Sequence, residues 1–193
     1  MNQGNLKEKE ELTNRQFFNR YFNLFHDAFS SIDEGELSRI SVFLTEIRRG
    51  RSKVILAGNG GSAAMASHVA VDLTKACGIR AVNFNEADLI TCFANDYGYE
   101  HWVSEALKAY ADPGDCVVLI SSSGQSKNII TAAVQTKTIG CSLITLSGFR
   151  SDNPLRTLGD INLWVDSTNY NIVEMTHHIW LLSIVDFIVE SQK

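Results

Sequence analysis

The stretch that most constrains this chain is residues 120–128, I-S-S-S-G-Q-S-K-N. An apolar run, C-V-V-L-I (116–120), leads into it, and a helical pattern, N-I-I-T-A-A-V-Q-T-K-T-I (128–139), leads out. Strand, hydroxyl-rich loop and helix start thus form one unit, and so apolar a strand needs cover on both of its faces. The first turn of a helix leaves backbone N–H groups unpaired and carries partial positive charge. Such an end holds an anion such as phosphate, and Ser121, Ser122, Ser123 and Ser126 add hydroxyl donors. A plain serine-rich N-cap uses the same residues, so the stretch alone does not separate a cap from a phosphate grip.

The rest of the chain repeats the same grammar. Short apolar runs at 54–57, 81–84, 116–120, 142–146 and 161–165 alternate with helical patterns at 63–77, 88–95, 99–111 and 128–139, and an apolar helix closes the chain at 170–190. Two helices come first. The one over residues 5–30 carries Leu12, Phe17, Phe18, Tyr21, Phe22, Leu24, Phe25 and Phe29, a wide aromatic arc that predicts a subunit contact. The second, over 33–49, places Leu37, Ile40, Phe43, Leu44 and Ile47 on one face and ends at Gly50. The expectation is an α/β fold: a three-layer α/β/α sandwich with a five-stranded parallel sheet and an N-terminal helical hairpin. With two prolines and no repeat or low-complexity segment, residues 1–193 read as a single domain, helices over 1–50 and the ligand-binding core over 51–193.

Composition narrows the chemistry. A chain of 193 residues buries about 70% of its unfolded surface, so no disulfide or metal is needed to hold it together. A net charge of −5 argues against direct nucleic-acid binding, which needs a basic face. Cys77, Cys92, Cys116 and Cys141 form no C-x-x-C pair and read as buried thiols of a reducing compartment. No apolar run reaches the roughly 18 residues of a membrane span, and the first residues have no signal-like apolar core. The expected location is the cytoplasm, with no membrane partner.

A second loop, G-N-G-G-S (58–62), follows the first strand. Ligands in open α/β sheets bind beyond the carboxyl ends of the strands, where both loops lie. Gly60 and Gly61 allow close backbone approach, while Asn59 and Ser62 offer side-chain hydrogen bonds. Together the loops describe a pocket for a small polar molecule carrying phosphate. Gly58-x-Gly60-x-x-Ala63 also fits a dinucleotide fingerprint, with Glu86 near the ribose-binding position. That reading has no use for a second phosphate loop after the third strand, so no nucleotide cofactor is expected.

With both loops in view, the chain resembles the SIS (sugar isomerase) domain family, and within it the phosphoheptose isomerases. The resemblance runs through A-G-N-G-G-S (57–62), A-S-H-V-A-V-D-L (66–73), C-F-A-N-D-Y-G-Y (92–99), I-S-S-S-G-Q-S (120–126) and I-T-L-S-G (144–148). It implies a homotetramer with active sites at subunit contacts and a phosphosugar substrate. Ser121, Ser122, Ser123 and Ser126 would hold the phosphate, Asn59 and Ser62 would contact the sugar, and Asn95 and Asp96 would line the same pocket. The implied reaction converts sedoheptulose 7-phosphate to an aldose heptose phosphate through an enediol, which needs a proton-moving base and a stabilised enediolate.

His68 and Asp72 match the family's histidine and carboxylate after the glycine loop, with Asp in place of Glu, and their i, i+4 spacing shares a helix face. In several members these positions bind Zn2+, so the resemblance implies a half-site of His68 and Asp72, to which His178 of the last helix is added as the candidate third metal ligand. The last helix departs from the pattern: Val173 and Leu181 stand where the family places a glutamine and an acid/base histidine. Glu174, His177 and His178 are the nearby replacements, and neighbouring histidines diverge by about 100° on a helix, so only one of the two can face the site. The same loss of the late histidine resembles a non-catalytic relative, the bacterial replication initiator-associating protein. A phosphosugar-binding adaptor is therefore the alternative to an isomerase.

Overall fold

The structure, a computed structural model, describes residues 14–193, so Leu12 and the start of the first expected helix lie outside the described residues. Two helices, α1 (Asn14–Phe29) and α2 (Glu34–Arg49), precede β1 (Val54–Gly58), α3 (Gly61–Lys75), β2 (Ala81–Asn83), α4 (Ala87–Tyr97) and α5 (Trp102–Tyr110). Then come β3 (Cys116–Ser121), α6 (Lys127–Ile139), β4 (Ser142–Ser147), β5 (Ile161–Trp164) and α7 (Tyr170–Glu190), with a 3₁₀ turn at Leu155–Thr157 before β5. All strands pair in parallel in the order β2-β1-β3-β4-β5. The α/β sandwich expected from the alternation is the observed fold.

Every residue of β1 and β3 is buried, because alternate side chains serve two cores. Val54, Leu56, Cys116, Val118 and Ile120 pack against α2, α3 and α7 through Ile40, Val69, Leu73, Trp180 and Leu181. Ile55, Ala57, Val117 and Leu119 pack on the other face against α5 and α6 through Trp102, Leu107, Ile129 and Ala133. Trp102 and Trp180 are thus core residues, as their helical context suggested.

Register then positions the site. Gly58 of β1 pairs with Ile120 of β3, so the two loops leave the sheet side by side. They do so where the strand order reverses, the crevice at which such sheets bind ligands.

Three details depart from expectation. Cys92 is exposed on α4, while Cys77, Cys116 and Cys141 are buried, and all four are free thiols. α5 starts at Trp102 rather than Tyr99, because the chain turns at Gly98, whose φ is 85°, before the helix begins. Third, α7 is long and apolar enough to cross a membrane, though half of its most apolar window is buried inside the protein. Its inner stripe, with Val173, Trp180, Leu181, Ile184 and Ile188, belongs to the core. α1 buries none of its residues fully, and Phe17, Phe18 and Phe22 stand about half exposed. Its end is tied down where the Trp180 indole N–H donates to the Phe29 carbonyl at 2.8 Å.

Candidate active site

The serine loop is shaped by Gly124, which sits at φ 65° and has no room for a side chain because Asn153 lies against it. Asn153 is buried, and its amide donates to the Ser147 hydroxyl and to the Gly148 and Arg150 carbonyls. Two backbone bonds complete the scaffold: Gly148 N–H to the Ser122 carbonyl and Leu155 N–H to the Gly124 carbonyl. Ser126 occupies the N-cap position of α6, yet its side chain accepts no bond from the helix backbone. Its hydroxyl instead pairs with Ser121 at 3.0 Å. The plain-cap reading therefore fails: the first turn of α6 is left uncapped by its own serine, beside a cluster of hydroxyls. A cavity of about 100 Å³ opens there, lined by Asn59, Ser62, Ser121, Ser122, Ser123, Ser126 and Tyr170.

The glycine loop is built differently. Gly60, with φ 54°, turns the chain into α3, and Gly61 opens the helix against the Glu174 carboxylate. A Cβ at Gly61 would collide with that carboxylate. Glu174 also receives a 3.4 Å contact from the Ser122 hydroxyl. The positive end of α3 thus already faces a negative group of the protein itself. A dinucleotide pyrophosphate would need that same place, which tells against the fingerprint reading. Asn59 links the two loops: its amide exchanges hydrogen bonds with Asn128 at 3.0 and 2.8 Å and accepts one from the Tyr99 hydroxyl at 3.0 Å.

Two turns down α3 lies the second part of the site. His68 Nε2 is 3.2 Å from the Asp72 carboxylate, and His68 Nδ1 is 3.0 Å from His178 Nε2 on α7. The two imidazole rings meet edge to face, with centroids 4.9 Å apart. Burial lowers the His178 pKa, the adjacent His68 adds to that shift, and Asp72 opposes it. Of the three late-helix candidates, His178 is the one that α7 aims at His68 and Asp72.

His177 goes the other way. It is fully buried, its Nε2–H donates to the Ser147 carbonyl at 3.0 Å, and its Nδ1 has no partner. Burial pushes its pKa down to about 4, against the opposing effect of the bond to Ser147. As a neutral core group behind β4 it has no access to substrate, which removes it from the acid/base candidates. Asn95 and Asp96 are likewise not brought to the cavity: both are exposed on α4 and bond to each other at 2.8 Å. Val173 and Leu181 are buried apolar residues, Val173 lying against Gly148.

Tyr170, Asn128 and Tyr99 were not singled out by sequence reasoning. Tyr170 opens α7 with no local pattern to mark it, and the pairing of Asn59 with Asn128 spans 69 residues of sequence. Tyr99 ends the stretch C-F-A-N-D-Y-G-Y (92–99), the one sequence signal that points to it.

The donor set does not fit zinc as arranged. A zinc site needs three or four ligands converging on one point. His68 presents its two nitrogens on opposite sides of the ring, one to His178 and one to Asp72, so the three groups form a line. No group of three His, Cys, Asp or Glu side chains among the described residues converges to hold a metal ion.

Comparison with known proteins agrees with this architecture. The SIS domain model matches residues 16–148. A protein of Thermoplasma acidophilum named probable phosphoheptose isomerase is 36% identical over 168 residues, covering 78% of this chain and 91% of that protein. The phosphoheptose isomerase of Sulfurimonas denitrificans is 32% identical over 163 residues, covering 81% and 83%. The solved phosphoheptose isomerase of Neisseria gonorrhoeae superposes with a TM-score of 0.83 at 26% identity, covering 91% of this chain and 98% of its own. With a phosphate-sized serine cavity at the β1/β3 switch point and relatives of this kind along most of its length, the chain belongs to the SIS domain family, among the phosphoheptose isomerases.

Proposed function

We propose that this chain is an aldose–ketose isomerase that converts sedoheptulose 7-phosphate to D-glycero-D-manno-heptose 7-phosphate. The observation that carries this reading is the division of the site into an uncapped serine cavity at one end and the Asp72–His68–His178 cluster at the other. Ser62, which lines the serine cavity, and His68 are six residues apart on α3, roughly 9 Å. Six carbon–carbon bonds of about 1.5 Å each, plus a terminal phosphate, cover that separation. A seven-carbon open chain held by its phosphate can therefore bring its carbonyl end to the histidines, where a triose would fall short.

At that end the chemistry is proton transfer between adjacent carbons. An imidazole or carboxylate within hydrogen-bond reach removes the proton from the carbon next to the carbonyl and returns it to its neighbour. The serine loop holds the phosphate through the α6 N-terminus and its hydroxyls, and this binding orients the reacting carbons. The adaptor alternative is not favoured. Leu181, the residue that suggested it, is part of the core, while His178 supplies an imidazole three positions earlier.

The proposed assembly is a homotetramer with active sites at subunit contacts, supported by the half-exposed aromatic rings of α1 and by the exposed Met175 and Phe187 on α7. Three buried free thiols suit a reducing compartment, in keeping with a cytoplasmic enzyme. The deciding experiment incubates the purified protein with sedoheptulose 7-phosphate and follows aldose formation. Turnover is expected; thermal stabilisation by the sugar phosphate without turnover would return the protein to the adaptor class.

A further inference from the structure

We propose that this isomerase works without a metal ion, through a hydrogen-bonded chain running from His178 through His68 to Asp72; this rests on the isomerase reading above. The order of protons in the chain follows from donor and acceptor chemistry. An ionised carboxylate only accepts, so the hydrogen on the His68 side of its 3.2 Å contact with Asp72 is carried by His68 Nε2. A neutral His68 then has a lone pair at Nδ1, which accepts from His178 Nε2–H at 3.0 Å. That leaves the lone pair of His178 at Nδ1. Each contact is at hydrogen-bond length, and each assigns one tautomer.

The same chain uses up what a metal would need. Both His68 nitrogens are engaged, on opposite edges of one ring, so no single ion can take His178 and Asp72 together with His68. At positions 173 and 181 α7 offers no further ligand, because Val173 and Leu181 are apolar and buried.

The arrangement supports a balanced step. His178 Nδ1 takes the proton from the hydroxymethyl carbon of the ketose. That C–H bond breaks, and its electron pair becomes the double bond of a cis-enediolate. The imidazolium formed on His178 is held through its Nε2–H by His68, which is oriented in turn by Asp72. The hydroxyl proton passes between the two adjacent oxygens of the enediolate. His178 then returns its proton to the second carbon, giving the aldose and restoring the starting tautomers. Nothing beyond substrate and protein is consumed.

The test uses the full chain after exhaustive dialysis against a chelator, with residual metal counted by plasma mass spectrometry. Turnover of sedoheptulose 7-phosphate should persist below one-tenth of an equivalent of metal, and titration with zinc chloride should neither bind stoichiometrically nor raise the rate. Long-range 1H–15N spectra of histidine-labelled protein should show His68 as the Nε2–H tautomer and His178 as the same. His178→Gln should lower kcat by about 100-fold or more with KM little changed, and should shift the His68 Nδ1 resonance. Turnover that appears only with bound zinc would overturn the metal-independent chain while leaving the isomerase reading intact. Absence of turnover in both the stripped and the zinc-loaded states would instead remove the isomerase reading, and the proton chain with it.

Discussion

The two ligand-facing loops share one construction and serve opposite purposes. Each follows a fully buried strand, each turns at a glycine with positive φ, and each opens a helix whose first turn points into the crevice. At α3 the helix end has no side-chain cap but lies against the Glu174 carboxylate of the protein itself. At α6 the N-cap serine leaves its helix uncapped and joins a hydroxyl cluster around an open cavity. An anion site is therefore not made by a glycine-rich turn and a helix dipole alone. It also depends on where the chain's own carboxylate lies: Glu174 sits against Gly61 and reaches the serine cavity only through Ser122 at 3.4 Å.

Chemistry set apart from both loops gives the largest expected effect. Asp72→Ala should lower kcat by about 10²–10⁴-fold, the usual worth of an acid/base group or its orienting partner, while sugar phosphate still stabilises the protein in thermal shift. A parallel loss of phosphate binding would mean that the cavity and the histidine cluster are not separate parts.

The second test is made with pH. The buried His177 lies behind the Ser147 carbonyl, next to the Gly148 bond that holds the serine loop. Its pKa falls from 6.5 to about 4 on folding, so below pH 6.5 the unfolded chain binds a proton that the native state refuses. Stability is complete above pH 6.5 and should decline as pH drops toward 4, by about 3 kcal/mol in all. Denaturant midpoints measured across that range should follow this slope, and His177→Gln should flatten it.

Altering the serine loop itself should cost somewhat less. Gly124→Ala forces a side chain against Asn153 at a positive φ, a strain of about 1–3 kcal/mol. KM for the sugar phosphate should rise roughly tenfold or more while kcat changes less, as steady-state kinetics would reveal. Gly61→Ala, the corresponding change in the other loop, meets Glu174 and should lower melting temperature more than it weakens phosphate binding.

The smallest effect is expected from Glu174→Gln. Removing a negative charge beside Ser122 should tighten phosphate binding by a few-fold, less at high salt. Weaker binding would mean that Glu174 assists the cavity rather than only filling the end of α3.

How much of this was legible beforehand can be judged residue by residue. The alternation of apolar runs and helices, the two loops, and the pairing of His68 with Asp72 are local patterns, and local patterns carry their own periodicity. Whether Ser126 caps its helix, whether Glu174 or a ligand meets α3, and which of two adjacent histidines faces His68 depend on side-chain direction after packing. Spacing predicted that only one of His177 and His178 could serve, and it could not choose between them. The phase of α7 against the sheet made the choice. Asn95 and Asp96 fit a motif yet remain on the outer surface of α4, since a motif match carries no information on which way a helix face turns.

By itself, then, the sequence determined an α/β sandwich with two loops at one end of its sheet, because strand and helix periods, glycine turns and helix starts are properties of neighbouring residues. The tertiary structure alone decided which loop stays open to an anion and which histidine joins Asp72. Those outcomes rest on contacts between α7 and segments 50 to 110 residues away, and they exist only once the core has set the rotation of that helix.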